Sequence, residues 1–579
     1  MKNKTRFRLL LLIILSLYVF LALYKLADVP NPWFDEIVHL NTANHIITEG
    51  RIWCDFYTAK FEYGKLFNAM PLQWILLAGF GKIFGLSIFT GRLLYIILSV
   101  ITLIVVYLLA RRMFNGRVAL LSALIVASSH IFFLNSRQLL SEIPATLFGV
   151  SAILFYYIAN TNRSKFYFIA SGILTGMSYL SHPTGMAISI IITILLIFYN
   201  RSFFQLFLYM LGLLLSVGPY MAYILLNFQE YARQMGLIFK EFYYAQPIFL
   251  NILDEIPVRY FGLPPVRNIF NNIWVDGRLV NRYIYDLNWL ISNVNLNIYF
   301  ARMSGQIILF ASFAALIIKK FKTKSEFFLL FIISVFIISM SVHPNKFPAY
   351  LYEMVPYFGI CLSLPTDRLI AGFSARGMKP DMFKTIFFAM ILILYFSANA
   401  AFIYKDLSSG KRQPYAGFIE KVKSYIPPGS SVAGPIYFWP GLYKDYSYIS
   451  VNQIMYEADK ILRDEKNGLR FEKLTFAGQE ELIGTILSRH GIEYMLLTCH
   501  RLDELTEAPG LAKEMGEGIR SYLTNHTEKR ADFLRANYYK DLPEAGRFEE
   551  EVYYPSGATF DNPASEYQNS LKIYKIKLR

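Results

Sequence analysis

The chain has 579 residues, 55% hydrophobic and only 17% charged, with a formal net charge of +15. Soluble proteins carry about 25% charged residues, so this composition excludes an ordinary water-soluble globule. The positive charge does not point to nucleic acid, because Lys and Arg fall in short clusters between apolar runs.

The N-terminus reads MKNKTRFR and leads into an apolar run from Leu9 to Leu23. That run is long enough to span a bilayer and no small-x-small cleavage site follows it, so a retained signal-anchor helix is expected. Further spans are expected near 92–110, 118–135, 143–159, 166–181, 184–199, 203–226, 304–318, 326–342, 349–364 and 382–403, about 11 in all. Arg111, Arg112 and Arg117, then Arg163 and Lys165, Arg201, the lysines at 319–324, and Arg368, Arg376 and Lys379 occupy alternate connections. By the positive-inside rule that side, with the N-terminus, is cytoplasmic. Residues 71–90 are apolar too, but counting them as a span would put these clusters outside. They are read as a helix at the outer interface.

Four connections then meet on the outer face: the first loop 28–91, the turn at Arg137–Glu142, the turn at Ser181–Gly185 and the loop 228–303. The stretch 343–348 joins them. After Tyr404 the apolar runs stop, and 405–579 is expected as an extracytoplasmic soluble α/β domain. The fold class is therefore an α-helical polytopic membrane protein, with a transmembrane domain over 1–404. The plasma membrane is the expected location. Cys54, Cys361 and Cys499 show no metal-like spacing, and no metal or cofactor is expected.

Almost no charge lies mid-span, which counts against an ion-coupled transporter; a polytopic transporter or lipid flippase is the alternative class. Polar residues collect at the outer helix ends. The sharpest group is Trp33-Phe34-Asp35-Glu36, with His39 four residues after Asp35. It follows Pro30-Asn31-Pro32, so the plain reading is a helix start with acids in its first turn. The loop 228–303 carries Tyr243, Tyr244, Trp274, Asp276, Arg278 and Trp289, which suit either sugar recognition or an interface belt.

In this order the motifs resemble the GT-C glycosyltransferases of the protein O-mannosyltransferase and aminoarabinose (lipid A) transferase type. Asp35-Glu36 opens the first outer loop. Pro71, Phe84-Gly85 and Arg92 match the interface helix and the head of the next span. Ser141-Glu142-Ile143-Pro144 matches the second acid, and Lys346-Phe347-Pro348-Ala349-Tyr350 the Lys-x-Pro-x-Tyr pattern. Aminoarabinose transferases have Lys before the interface-helix Pro, whereas this chain has Met70; Lys65 is a candidate substitute. Glu142 stands where relatives often have Asp. The resemblance implies inverting transfer from a polyprenyl- or dolichyl-phosphate sugar to an extracytoplasmic protein, lipid or glycan.

Such a transfer needs a base for the acceptor proton and cations for the departing phosphate. Asp35 is the base candidate, with Glu36 and Glu142 as further acids. Arg92, Arg137, Lys65 and Lys346 are the phosphate-binding candidates. The plainer alternatives are an interface anchor for Arg92 and a salt bridge to Glu142 for Arg137. His39, His182, His343 and Tyr350 are the substrate-binding candidates, against a structural reading of His39 and His182 as polar residues of helix ends.

Overall fold

The computed structural model describes residues 2–238 except 31, 33, 57–63, 68 and 163; residues 252–254, 264–265, 268–269, 272–275, 278–284, 296–319, 322–342, 348–374, 382–408, 415–434 and 436–450; and 453–454, 457, 461, 482, 485–499, 544–548 and 570–575. The helices in chain order are α1 (Lys2–Leu23), α2 (Phe34–Glu49), α3 (Leu72–Phe84), α4 (Ile88–Met113), α5 (Gly116–Ser128), α6 (His130–Asn135), α7 (Glu142–Asn162), α8 (Lys165–Ser181), α9 (Met186–Ile194), α10 (Phe203–Leu226) and α11 (Phe228–Ile238). Then come α12 (Leu296–Ile318), α13 (Lys324–Val342), α14 (Val355–Ser374), α15 (Met382–Ser408), α16 (Tyr415–Lys423) and α17 (Trp439–Leu442).

The chain divides into two compact units. A helical unit comprises Met1–Leu26, Phe67–Phe80 and Phe89–Ser409; a loop-and-sheet unit comprises Ala27–Leu66, Gly81–Ile88 and Gly410–Arg579. Among the described residues, seven helices are long and apolar enough to cross a membrane: Thr5–Leu23, Ile88–Met113, Glu142–Asn162, Pro183–Asn200, Phe203–Leu226, Lys324–Ser341 and Phe388–Lys405. Every expected span contains helix. Residues 71–90 are not one helix: α3 ends at Gly85, whose φ of +79° is the left-handed conformation that favours glycine. At about 1.5 Å per residue α3 reaches roughly 20 Å, short of the ~30 Å hydrocarbon core. It buries Trp74, Leu77 and Ala78 and exposes Ile75 and Ile83.

In the helical unit, α8 lies between α7 and α10. Gly172 and Gly212 let α8 and α10 touch backbone to backbone. A Cβ on Gly172 would sit 2.1 Å from the Tyr209 carbonyl oxygen, and one on Gly212 2.1 Å from that of Ile169. Lipid tails offer no hydrophobic reward for helix association, so this close packing is what a membrane bundle uses. The expected span 118–135 breaks at Ser129, whose ψ of 122° is extended. The Asn399 side chain of α15 accepts the freed His130 backbone N–H at 2.7 Å. At the opposite ends of the helices, Glu326 accepts from Lys319 at 2.6 Å and Arg368 at 2.5 Å, and Asp367 from Arg117 at 2.9 Å.

In the loop-and-sheet unit, β1 (Trp53–Cys54) and β2 (Gly64–Lys65) form an antiparallel pair. The main sheet has five strands, β5 (Ser431–Gly434), β6 (Ser447–Ser450), β7 (Tyr494–Cys499), β8 (Glu544–Phe548) and β9 (Ser570–Lys575), in the order β6-β5-β7-β9-β8. The β5 pairings are parallel, and those of β9 antiparallel. Ile419, Val422, Val432, Leu442 and Leu496 build its core with α16 and α17. Helix α2 also packs against α17, and Phe56 meets Trp439 edge-on at 5.7 Å between ring centroids. A separate antiparallel pair, β3 (Asn272–Val275) with β4 (Arg278–Asn281), lies in the loop 228–303.

Candidate active site

In the helical unit, two arginines converge on the C-terminal end of α1. Arg92, wholly buried, donates from NH1 to the Leu26 carbonyl at 2.8 Å. Arg137, 1% exposed, donates from NH2 to the Tyr24 carbonyl at 2.7 Å and from NH1 to that of Leu21 at 3.5 Å. The last carbonyls of a helix lack intrahelical partners and carry partial negative charge, so Arg137 caps α1, while Arg92 holds the Leu26 carbonyl in the turn that follows it. Burial places Arg92 inside the protein rather than at a lipid-facing surface.

A second cluster lies at the heads of α7 and α14. Glu142 begins α7, is 5% exposed and accepts from the Ser141 hydroxyl at 3.3 Å. His182 ends α8 and is followed by a tight 3-10 turn, Pro183–Gly185, which Pro183 favours as a helix start. A second 3-10 turn, Pro348–Glu353, precedes α14 and also packs on α7. It brings Glu353 to His182: Nδ1 lies 3.6 Å from Glu353 Oε1, and the Thr184 hydroxyl bonds both. Burial alone would lower the His182 pKa, but the Glu142 and Glu353 carboxylates outweigh it and raise it above the ordinary 6.5. The Tyr350 ring lies 5.4 Å from the imidazole.

Glu353 lies inside the expected span 349–364, where the charge survey passed over it. A lone acid in an apolar stretch was the available signal. Met70, which stands in place of the family lysine, packs beside Phe67, Leu180 and Tyr220 in an apolar cluster. Phe67 is anchored there by its N–H to Gln234 Oε1 at 2.9 Å.

In the loop-and-sheet unit, Asp35 and Glu36 do fall in the first turn of a helix, α2. Glu36 is fully buried and Asp35 partly so. His39, one turn on, is buried, and burial pushes its pKa down to about 3, so it is neutral. A charge cluster missed by the sequence reading follows: His45 Nδ1 lies 2.8 Å from Glu49 and Nε2 2.7 Å from Asp55. Asn41 donates to Asp55 at 3.0 Å and accepts its N–H at 2.9 Å. Lys65, on β2, is partly buried. Lys346, His343, Trp33, Tyr243, Tyr244, Asp276 and Trp289 lie outside the described residues. Among the described residues, no three of His, Cys, Asp and Glu converge to hold a metal ion.

The chain's overall course is similar to ArnT from Cupriavidus metallidurans in the apo state, with a TM-score of 0.52 and 11% identity over 86% of this chain and 94% of that one. The undecaprenyl phosphate-bound form of ArnT gives 0.50 with 12% identity over the same shares. The fold is that of ArnT. Residues 69–223 match the model of the dolichyl-phosphate-mannose-protein mannosyltransferase family. That segment contains Arg92, Arg137, Glu142 and His182, and leaves out Asp35, Glu36 and Tyr350. A protein of Aquifex aeolicus of uncharacterised function is 30% identical over 186 residues, 32% of this chain and 36% of its own length.

Proposed function

We propose that this chain is an inverting glycosyltransferase of the GT-C type, acting at the non-cytoplasmic membrane face. Its donor is a sugar on a polyprenyl or dolichyl phosphate, and its acceptor a protein, lipid or glycan outside the cytoplasm. The observation that carries the proposal is the mannosyltransferase-family match over 69–223, on which buried Arg92, Arg137 and Glu142 and partly buried His182 all fall. ArnT, whose fold the chain shares, is solved with undecaprenyl phosphate, which supports a lipid-phosphate donor.

The chemistry follows from the residue types. Asp35, in the first outer loop, takes the acceptor proton as the acceptor oxygen attacks the anomeric carbon. No protein nucleophile is required. Charge grows on the departing lipid phosphate, and preorganised cations lower that barrier because they need not reorient during the reaction. Arg92 and Arg137 are held by the carbonyls of Leu26, Tyr24 and Leu21 at and just past the end of α1, and Lys65 and Lys346 are the remaining cations assigned to this task. Glu36, Glu142, His39, His182, His343 and Tyr350 bind and orient the substrates. Neutral His39 serves only as a hydrogen-bond partner.

Transfer of radiolabelled sugar from a panel of polyprenyl-phosphate donors in proteoliposomes tests the reading. Label reaching an acceptor, or released by hydrolysis, supports it. Turnover of no donor, with or without candidate acceptors, counts against it.

A further inference from the structure

We propose that Glu353 is a positioning residue: through Thr184 it fixes His182 by Nδ1 and so presents Nε2 to an oxygen of the lipid-linked donor. This rests on the donor class proposed above. The side chain of Glu353 is 2% exposed. A carboxylate so buried is costly unless it is paired and hydrogen-bonded. Its partners are Thr184 and His182, one on the short turn after α8 and the other at that helix's end.

The proton order follows from donor and acceptor roles. Glu353 accepts from the Thr184 hydroxyl, whose oxygen therefore accepts from His182 Nδ1–H. The Thr184 backbone N–H, 3.4 Å from Nδ1, is too distant to compete with that bond. Among the described residues no group hydrogen-bonds Nε2, and the His182 side chain is 15% exposed. The imidazole thus has one nitrogen held and one offered, the arrangement by which an orienting group prepares a histidine for substrate.

The titratable groups facing the ring are Glu142 from α7 and Glu353 and Tyr350 from the Pro348–Glu353 turn. The two carboxylates favour the imidazolium, the form in which Nε2 also is a donor. A hydroxyl of the sugar and a phosphate oxygen of the lipid share the acceptor chemistry that this donor selects.

The test uses the full chain in nanodiscs, as parent, Glu353→Gln, Thr184→Val, Thr184→Ser, His182→Asn and the double variant His182→Asn/Glu353→Gln. Glu353→Gln and Thr184→Val should each lower kcat/KM about tenfold, the size of one charge-assisted hydrogen bond. Thr184→Ser, which keeps the hydroxyl, should restore the parent value. Glu353→Gln should cost nothing further once His182 is Asn, because the two act as one unit. Nitrogen NMR of labelled histidine, with the His182 signals assigned by their loss in His182→Asn, should show them shifted in Glu353→Gln. Unmoved signals, or an equal loss from Glu353→Gln in both backgrounds, would overturn the proposal.

Binding of undecaprenyl phosphate alone separates the two oxygen sources. Weaker binding by His182→Asn places Nε2 on phosphate; weakening confined to the sugar-bearing donor places it on a sugar hydroxyl. No change in either overturns the proposal. If the parent turns over no donor, the proposed function fails, and the nitrogen signals still decide the positioning role.

Discussion

His45 sits between two carboxylates in the segment after α1, and that arrangement gives the segment a pH dependence of definite sign. Burial opposes its charge, but Asp55 and Glu49 raise its pKa above the ordinary 6.5. Burial likewise opposes the charge on Asp55, but His45 and Asn41 hold its pKa below the ordinary 3.8. The His45 contribution is full below about 6.5 and is lost as pH rises through the raised value. The Asp55 contribution is full above about 3.8 and is lost as pH falls through the lowered one. The difference in melting temperature between the parent and His45→Gln should therefore be widest near pH 5 and shrink above pH 7. A flat difference across that range would refute the clamp. Arg137 at the end of α1 makes a separate stability prediction. Arg137→Ala should cost about 1–3 kcal/mol by stranding the Tyr24 carbonyl, seen as a lower melting temperature in detergent, with Arg137→Lys intermediate. None of this was legible in sequence. A cap joining residue 137 to residues 21 and 24 exists only after the chain has folded. Glu142, by contrast, was legible as a helix head because Pro144 and the apolar run after it mark a start.

At the scale of elements, hydropathy locates the helices well and their interruptions poorly. Each expected span holds helix because a bilayer-length apolar run has few alternatives to it. The break at Ser129 escaped because the group that satisfies it, Asn399, lies far along the chain. The start of α14 was displaced because residues 348–353 coil as a 3-10 turn, which carries Glu353 toward His182. Several of the basic residues that informed sidedness are in ion pairs: Lys319 and Arg368 with Glu326, and Arg117 with Asp367. The α8–α10 contact yields an element-level prediction. Gly212→Leu should force the backbones apart and destabilise the bundle by about 1–3 kcal/mol or more, the cost of overpacking. Gly218→Ala on the same helix, where an added Cβ meets only Leu214 at 3.9 Å, should cost little. Thermal melts of the two variants in one detergent check this contrast, and equal melting temperatures would refute the close-contact account.

At the scale of the molecule, Ala27–Leu66, Gly81–Ile88 and Gly410–Arg579 form one unit. Phe56 packs on Trp439, and the Tyr443 hydroxyl donates to the Leu86 carbonyl at 3.3 Å. Deleting residues 410–579 should therefore expose α2 and its acids to protease, and limited proteolysis within 28–66 would report it. Protection equal to the full chain would show that the loop holds its shape alone. Asp35 belongs to this unit, so the proposed base depends on it. The most direct test of the central claim is sugar transfer from polyprenyl-phosphate donors in proteoliposomes, parent beside Asp35→Asn at matched expression. The account predicts transfer by the parent and a fall of about 10²–10⁴-fold in the variant, the usual worth of a general base. Equal rates in the two would contradict the assignment of Asp35, and no transfer by the parent from any donor would contradict the proposed function.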